Sequence, residues 1–208
     1  MASAPDRRPI GARSHPLSHR LAAFLARLGL SPNAISVMSM VFAAGAGLCL
    51  AQTRAHDRWF WWLAAAALIV LRLLANMLDG MVAVEFNRGS PLGELFNEAP
   101  DRFSDALIFI GAGFAAGSSP HLGYLAALLA VLTAYIRTLG NQMGVHHLFI
   151  GPCAKAQRMW ALVALLIYRG IAPWQPPHLL AWGLGVISLC TLLTIFRRLQ
   201  KIIHEVQA

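Results

Sequence analysis

The chain has 208 residues, of which 57% are hydrophobic and only 12% are charged, and its formal net charge is +8 at pH 7. Several apolar runs are long enough to cross a bilayer core of about 30 Å, which takes about 20 residues. The composition therefore indicates an integral membrane protein and excludes a separate soluble domain. The basic residues lie at helix ends and not on one soluble face, which argues against a nucleic-acid partner.

Two elements are predicted before the membrane spans. Residues 1–16 are polar, basic and proline-containing, with no apolar core and cleavage site, so we interpret them as a flexible cytoplasmic tail and not as a cleaved signal peptide. In residues 17–30, apolar side chains recur at helical spacing, and Arg20 and Arg27 share the other face. This pattern predicts a juxtamembrane amphipathic helix on the membrane surface.

Six apolar segments follow and predict an all-α transmembrane domain over residues 31–200, with a C-terminal tail at 201–208. The predicted spans are 32–52, 59–83, 91–117, 121–142, 155–172 and 177–197. With the N-terminus inside, eleven lysines and arginines lie in cytoplasmic segments and three in outer segments. The positive-inside rule therefore predicts that both termini face the cytoplasm.

Acidic residues are concentrated where the second predicted span ends and the third begins. Six of the nine lie between residues 79 and 105. At about 100° per residue, two stripes follow; they consist of positions 94, 97, 98, 101 and 105 on the third span and of Asn76, Asp79, Gly80 and Ala83 on the second. Clustered hard oxygen ligands without His or Cys suit Mg²⁺, Mn²⁺ or Ca²⁺.

A purely structural interpretation of these acids is that they are solvated at a helix end and paired with Arg88 or Arg102. That interpretation suits Glu85 and Glu94. It does not explain the small residues beside Asp79, which leave room for a ligand to approach the backbone. The pattern therefore favours a divalent-metal site at the cytoplasmic edge of the membrane.

The same residues resemble a motif of the CDP-alcohol phosphotransferases, D-x2-D-G-x2-A-R followed by G-x3-D-x3-D. The corresponding residues here are Asn76, Asp79, Gly80, Ala83, Val84, Gly93, Asn97 and Asp101. The stretch LSPNAIS at residues 30–36 is also similar to the family's usual start of the first membrane helix. With six membrane helices, the resemblance covers nearly the whole chain.

The resemblance implies a site and a reaction. The motif side chains would hold two divalent ions, Mg²⁺ or Mn²⁺, with ligands at Asn76, Asp79, Asn97, Asp101 and Asp105. Asp101 would also act as the base. CDP would contact Asp79, Gly80, Ala83 and Gly93. The resemblance further suggests a homodimer, and small membrane residues would permit close packing of its helices; they are Gly45, Gly47, Gly183 and Gly185.

Three motif positions differ from the family pattern, because Asn76 and Asn97 replace aspartates and Val84 replaces the arginine. An amide oxygen still binds a hard cation, but with less electrostatic attraction. Glu98 and Asp105 lie three residues before and four after Asp101, so either could restore a lost charge.

Asp105 has a second candidate role. Antiparallel pairing of the two spans places it level with Arg72, and a buried arginine requires a carboxylate partner. We therefore also consider a structural Arg72–Asp105 ion pair below the metal site.

Basic residues at the inner ends of later spans form a candidate acceptor site. Arg137 lies deep in the fourth span, and Lys155 and Arg158 share one face of the fifth. Such residues commonly bind phosphate, and in the resembling family they form a pocket for an alcohol that often bears a phosphate. Snorkelling side chains are the alternative for Lys155 and Arg158. We interpret His146 and His147 in the preceding loop as surface residues.

The predicted function is transfer of a phosphatidyl group from a CDP-linked lipid, such as CDP-diacylglycerol, to a small alcohol or alcohol phosphate, with release of CMP. It would serve phospholipid synthesis at the cytoplasmic face of a bacterial inner membrane. One alternative is a relative that has lost catalysis but retains nucleotide or metal binding. Another is an ion or proton transporter, although the outer halves of the spans lack a polar relay.

Overall fold

The computed structural model describes residues 11–145, 148–172, 174 and 176–207, and within them it contains helices and no strands. A 3₁₀ helix, Gly11–Ser14, precedes seven α helices. These are α1 Pro16–Arg27, α2 Pro32–Gln52, α3 Trp59–Glu85, α4 Gly93–Phe114, α5 Pro120–Gln142, α6 Lys155–Ile171 and α7 Leu179–Gln207. Most of the predicted N-terminal tail lies outside the described residues, as do His146 and His147.

Each predicted span coincides with one helix from α2 to α7, and the all-helical class is confirmed. Helix α7 continues through the segment predicted as a C-terminal tail and ends at Gln207. Among the described residues, four helices, α2, α3, α5 and α7, are long and apolar enough to cross a membrane. Helix α4 carries five charged side chains, and α6 has only 17 residues.

The start of α2 shows how the sequence sets a helix boundary. Ser31 is the N-cap, and its hydroxyl accepts a hydrogen bond from the Ala34 amide at 3.2 Å. Pro32 follows in the first turn, where its missing N–H costs nothing because that group would have no partner in the helix. The stretch LSPNAIS therefore begins α2 as expected.

Helix α1 has two apolar surfaces. Ala22 and Ala26 are buried where α1 packs against α3, and His19 Nδ1 lies 2.9 Å from Glu85 Oε2 at the end of α3. The larger apolar side chains point outward; they are Leu17, Leu21, Phe24 and Leu28. A helix with this exposed stripe suits an interface with lipid.

Helix α2 lies between α3 and α4 and packs extensively against both. Helix α5 packs against both α4 and α7, and α6 packs against α3. Helices α3 and α4 touch each other only lightly. The two polar stripes therefore meet through their side chains and not through close backbone packing, and side chains from α2 and α6 reach the space between them.

Two glycine crossings fix α4 against its neighbours. A Cβ atom on Gly111 would lie 2.4 Å from the Cα of Gly47 on α2, and one on Gly113 would lie 2.7 Å from the Cα of Gly123 on α5. Gly45 and Gly183 likewise face leucine side chains of this chain, whereas nothing lies within 4 Å of a Cβ on Gly185. Three of the four glycines considered for a dimer contact therefore serve packing within the chain.

We expect Gly111→Ala to lower the free energy of unfolding by about 1–3 kcal/mol, since its methyl group would overlap backbone that no side-chain rotation can move. Thermal unfolding in detergent measures the change. Gly89→Ala is the control, because its methyl group meets open space; we expect a change within about 0.5 kcal/mol. Equal melting temperatures for the two variants would contradict the close contact.

Candidate active site

Asp79 lies in the last third of α3 and is 3% exposed. The Ser36 hydroxyl on α2 lies 2.6 Å from its Oδ2 and donates to it. Ser36 lies one turn into α2, so the same capped helix start that orients α2 also positions a donor for this carboxylate. The sequence offered no signal for this contact beyond the position of Ser36 in the LSPNAIS stretch.

The two asparagines of the motif lie beside each other, one on α3 and one on α4. The Asn76 amide donates to Asn97 Oδ1 at 3.4 Å. Asn76 is partly buried and Asn97 is exposed. The predicted stripes on α3 and α4 therefore meet at their polar ends, although the helices touch only lightly.

Asp101 on α4 is 5% exposed and meets a cation at each carboxylate oxygen. Arg72 Nη2 on α3 donates to Oδ1 at 3.1 Å, and Lys155 Nζ on α6 contacts Oδ2. The same ammonium group lies 2.8 Å from Asn76 Oδ1. Lys155, predicted in the acceptor pocket, therefore reaches the motif residues themselves.

Asp105 is also held between two cations. Arg72 Nη2 donates to its Oδ1 at 2.7 Å, so the hypothesised Arg72–Asp105 ion pair is present. Arg158 Nη2 lies 3.4 Å from Oδ2, and its Nη1 donates to the Cys153 carbonyl at 3.2 Å. Burial raises the pKa of the Cys153 thiol to about 11.

These contacts form an alternating buried chain of charges, hereafter the charge chain. Its members, in spatial order, are Lys155, Asp101, Arg72, Asp105 and Arg158. Arg72, Asp105 and Arg158 are almost completely buried. Their low-dielectric surroundings strengthen the attraction between neighbours and make the loss of any one member costly.

Glu98 binds two arginines. Arg137 Nη2 on α5 donates to its Oε1 at 2.5 Å, and Arg102 Nη2, one turn along α4, donates to its Oε2. Both carboxylate oxygens are therefore engaged by guanidinium groups. The suggestion that Glu98 replaces a lost charge of the motif stays a prediction.

The other residues expected to bind CDP lie on α3 and at the start of α4. Gly80 and Ala83 are partly buried on α3, and Gly93 begins α4. A Cβ on Gly80 would lie 4.0 Å from Arg13 Nη2, which reaches over from the N-terminal 3₁₀ helix. The sequence did not single out Arg13. It also gave no reason to select Arg198, which is buried on α7 and donates to the Thr133 carbonyl at 2.8 Å.

The oxygen donors fit a hard divalent cation. Within the described part of the chain, no group of three or more His, Cys, Asp or Glu side chains could hold a metal ion. The available donors are two carboxylates, Asp79 and Asp101, and two amide oxygens, Asn76 and Asn97. Amide and carboxylate oxygens together are normal ligands for Mg²⁺ or Mn²⁺, but this set carries half the charge of four carboxylates.

A comparison with protein families decides the class of the molecule. The family model described as CDP-alcohol phosphatidyltransferase matches residues 29–196, which include the motif and the whole charge chain. The chain belongs to the CDP-alcohol phosphatidyltransferase family. The resemblance seen in the sequence is thereby confirmed, and it assigns the chain to a family of transferases. Its four long apolar helices agree with an integral membrane protein.

Several family members with assigned names are similar to this chain. Phosphatidylinositol phosphate synthase of Mycolicibacterium smegmatis is 29% identical over 191 residues, which cover 85% of this chain and 81% of that one. Archaetidylinositol phosphate synthase of Aeropyrum pernix is 30% identical over 148 residues, which cover 70% and 71%. The relatives therefore match this CDP-alcohol phosphatidyltransferase over most of its length.

Solved structures of phosphatidylinositol phosphate synthase from Mycobacterium tuberculosis have the same fold. The form with CDP-DAG bound has a TM-score of 0.76 at 18% identity and covers 90% of this chain and 94% of its own. The form in complex with manganese and citrate has a TM-score of 0.75 at 19% identity, with coverages of 89% and 88%. At this level of identity the likeness shows the fold alone.

Proposed function

We propose that this CDP-alcohol phosphatidyltransferase moves a phosphatidyl group from CDP-diacylglycerol to a hydroxyl of a small phosphorylated alcohol of the inositol phosphate type, and releases CMP. The observation that supports it most is the contact of Lys155 with Asp101 and Asn76, the latter lying beside Asn97. Oxygen ligands for a cation and a basic group for a phosphate lie within one cluster. The names of the relatives and the CDP-DAG complex support the same substrates.

The reaction is a phosphoryl substitution. Asp101 accepts the proton of the acceptor hydroxyl, and the oxygen forms a bond to the phosphorus distal to cytidine. The bond from that phosphorus to the bridging oxygen breaks, and CMP leaves with the electron pair. A bound Mg²⁺ or Mn²⁺ supplies charge neutralisation for the diphosphate. Lys155 and Arg72 hold the Asp101 carboxylate in one orientation for proton transfer.

The acceptor phosphate is proposed to bind Arg137 and Lys155. Their side chains are 27% and 25% exposed, so both remain accessible from the cytoplasmic edge, and Arg137 also lies over the Phe149 ring at 5.9 Å. Arg158 was expected in the same role. Its side chain is only 2% exposed and pairs with Asp105, so its proposed contribution is to fix the floor of this pocket.

The proposed arrangement in the membrane has six crossing helices, α2 to α7, with both termini and the site at the cytoplasmic face of a bacterial inner membrane. The excess of basic residues on that side supports this orientation. We also propose a homodimer. Because Gly45, Gly47 and Gly183 pack within the chain, only Gly185 of the glycines considered presents an open surface to a partner.

The test is CMP release from radiolabelled CDP-diacylglycerol by the purified protein with Mg²⁺ or Mn²⁺. Acceptors are inositol phosphate, glycerol phosphate and the two unphosphorylated parent alcohols. We expect CMP with a phosphorylated alcohol and little with its parent, because Arg137 and Lys155 supply phosphate contacts. Equal rates with the parent alcohols would contradict the acceptor assignment.

The second candidate is a family member that binds CDP without turnover, and Asn76 and Asn97 favour it because they remove two ligand charges. Binding of CDP with no CMP release for any acceptor would establish this candidate. Absence of both binding and release would contradict both functions.

A further inference from the structure

We infer that the Lys155 ammonium group takes the place of one divalent ion, so that this site binds a single ion where the family motif provides for two. The inference rests on the proposed function, because it concerns the same site. It assigns Lys155 a fixed place among the motif side chains in addition to its proposed contact with the acceptor.

The position of Lys155 carries the inference. Its Nζ lies 2.8 Å from Asn76 Oδ1 and contacts Asp101 Oδ2, and these residues occupy the first and fourth ligand positions of the motif. An ion that joined these two oxygens would lie where the ammonium group lies. Metal–oxygen distances of about 2.0–2.6 Å leave no space for both.

The charges of the cluster agree with this assignment. Three carboxylates, Asp79, Asp101 and Asp105, are matched by three cations. These cations are Arg72, Lys155 and Arg158. The formal charge of the cluster is therefore zero before any metal ion binds. Two divalent ions would add four positive charges to buried groups that have no surplus of negative charge, whereas one ion adds two, which the diphosphate of the donor can neutralise.

This arrangement gives a physical reason for the asparagine at position 76. An aspartate at position 76 would supply charge for a second ion, but Lys155 already provides a cation at that place. An ammonium group is a point charge with three donors, and Asn76 Oδ1 and Asp101 Oδ2 accept two of them. The amide at position 76 is thus a suitable neutral acceptor for lysine.

Mn²⁺ titration of chelator-treated protein in detergent, with free Mn²⁺ followed by electron paramagnetic resonance, tests the inference. We expect one ion per chain in the wild type and one tight ion in Asn76→Asp/Asn97→Asp. Adding Lys155→Met to that double variant should lower the dissociation constant of a second ion at least about tenfold relative to the double variant with Lys155 present. The reason is that the substitution removes a positive charge from the ion's position. Lys201→Met is the matched control, because Lys201 pairs with Glu205 on α7 and belongs neither to the motif nor to the charge chain.

Two bound ions in the wild type, or none, would overturn the inference. The inference is also overturned if the second ion binds the aspartate double variant with the same affinity whether Lys155 is present or replaced. Folding of each variant is checked by its melting temperature, and Lys155→Gln serves if Lys155→Met is unstable. CMP release by the same samples reports the proposed function separately: a two-ion wild type that releases CMP overturns this inference alone, and a one-ion protein without release overturns only the function.

Discussion

Asp101→Asn is expected to lower CMP release by at least about 10²–10³-fold, the range found when one charge-stabilising group of an active site is removed. The substitution retains the size of the side chain but removes the proposed proton acceptor and one of the two carboxylates available to a cation. It also leaves Lys155 and Arg72 with a neutral neighbour. Initial rates with radiolabelled CDP-diacylglycerol measure the effect.

Glu94→Gln is the control for this loss, because it makes the same chemical change in the exposed first turn of the same helix. We expect Glu94→Gln to change the activation free energy of CMP release by no more than about 0.5 kcal/mol, as for other exposed substitutions away from a site. If Asp101→Asn and Glu94→Gln release CMP at similar rates, Asp101 is neither the base nor a required ligand.

Arg72→Leu is expected to lower the free energy of unfolding by about 3–5 kcal/mol, because it leaves buried carboxylates without their shared cation. Arg72 is fully buried and lies at the centre of the charge chain. Asp101 retains Lys155 and Asp105 retains Arg158, so the loss concerns the central member and not every pair. Denaturant unfolding in detergent micelles measures it.

Arg197→Leu is the matched control, since Arg197 is an exposed arginine on α7, and we expect its stability to equal that of the wild type within about 0.5 kcal/mol. The double variant Arg72→Leu/Asp105→Leu is expected to be no more stable than Arg72→Leu, because it also leaves the buried Arg158 without its carboxylate partner. If Arg72→Leu has the same free energy of unfolding as the wild type, the charge chain does not stabilise the fold.

The helices were predictable because their signals are local. Apolar runs define α2 to α7, and the Ser31–Pro32 cap defines where α2 begins. Pro100 did not end α4, although it lies inside the helix and leaves the carbonyl one turn earlier without its usual partner. It is buried, so tertiary packing outweighs the local penalty.

The site was predictable only where two helices adjacent in sequence provide it. The stripe around Asp79 and the level of Arg72 with Asp105 followed from helical periodicity, and the ion pair is present. The contacts of Lys155 with Asp101 and of Arg137 with Glu98 join residues 54 and 39 positions apart. Periodicity within one helix carries no information about such distances, and the Ser36 contact with Asp79 was missed for the same reason.

The glycine crossings of α4 have a consequence for how chains of this kind can diverge. At these crossings glycine backbone meets glycine backbone, so no facing side chain could become smaller to make room for a larger residue. The spacing of α2, α4 and α5 is therefore fixed by Gly47, Gly111, Gly113 and Gly123. The segment of residues 148–154, before α6, contains no glycine–glycine crossing; its one glycine, Gly151, lies against Thr194. We expect changes of alcohol preference among related chains to accumulate in that segment, while the carboxylates of α4 stay at the same depth.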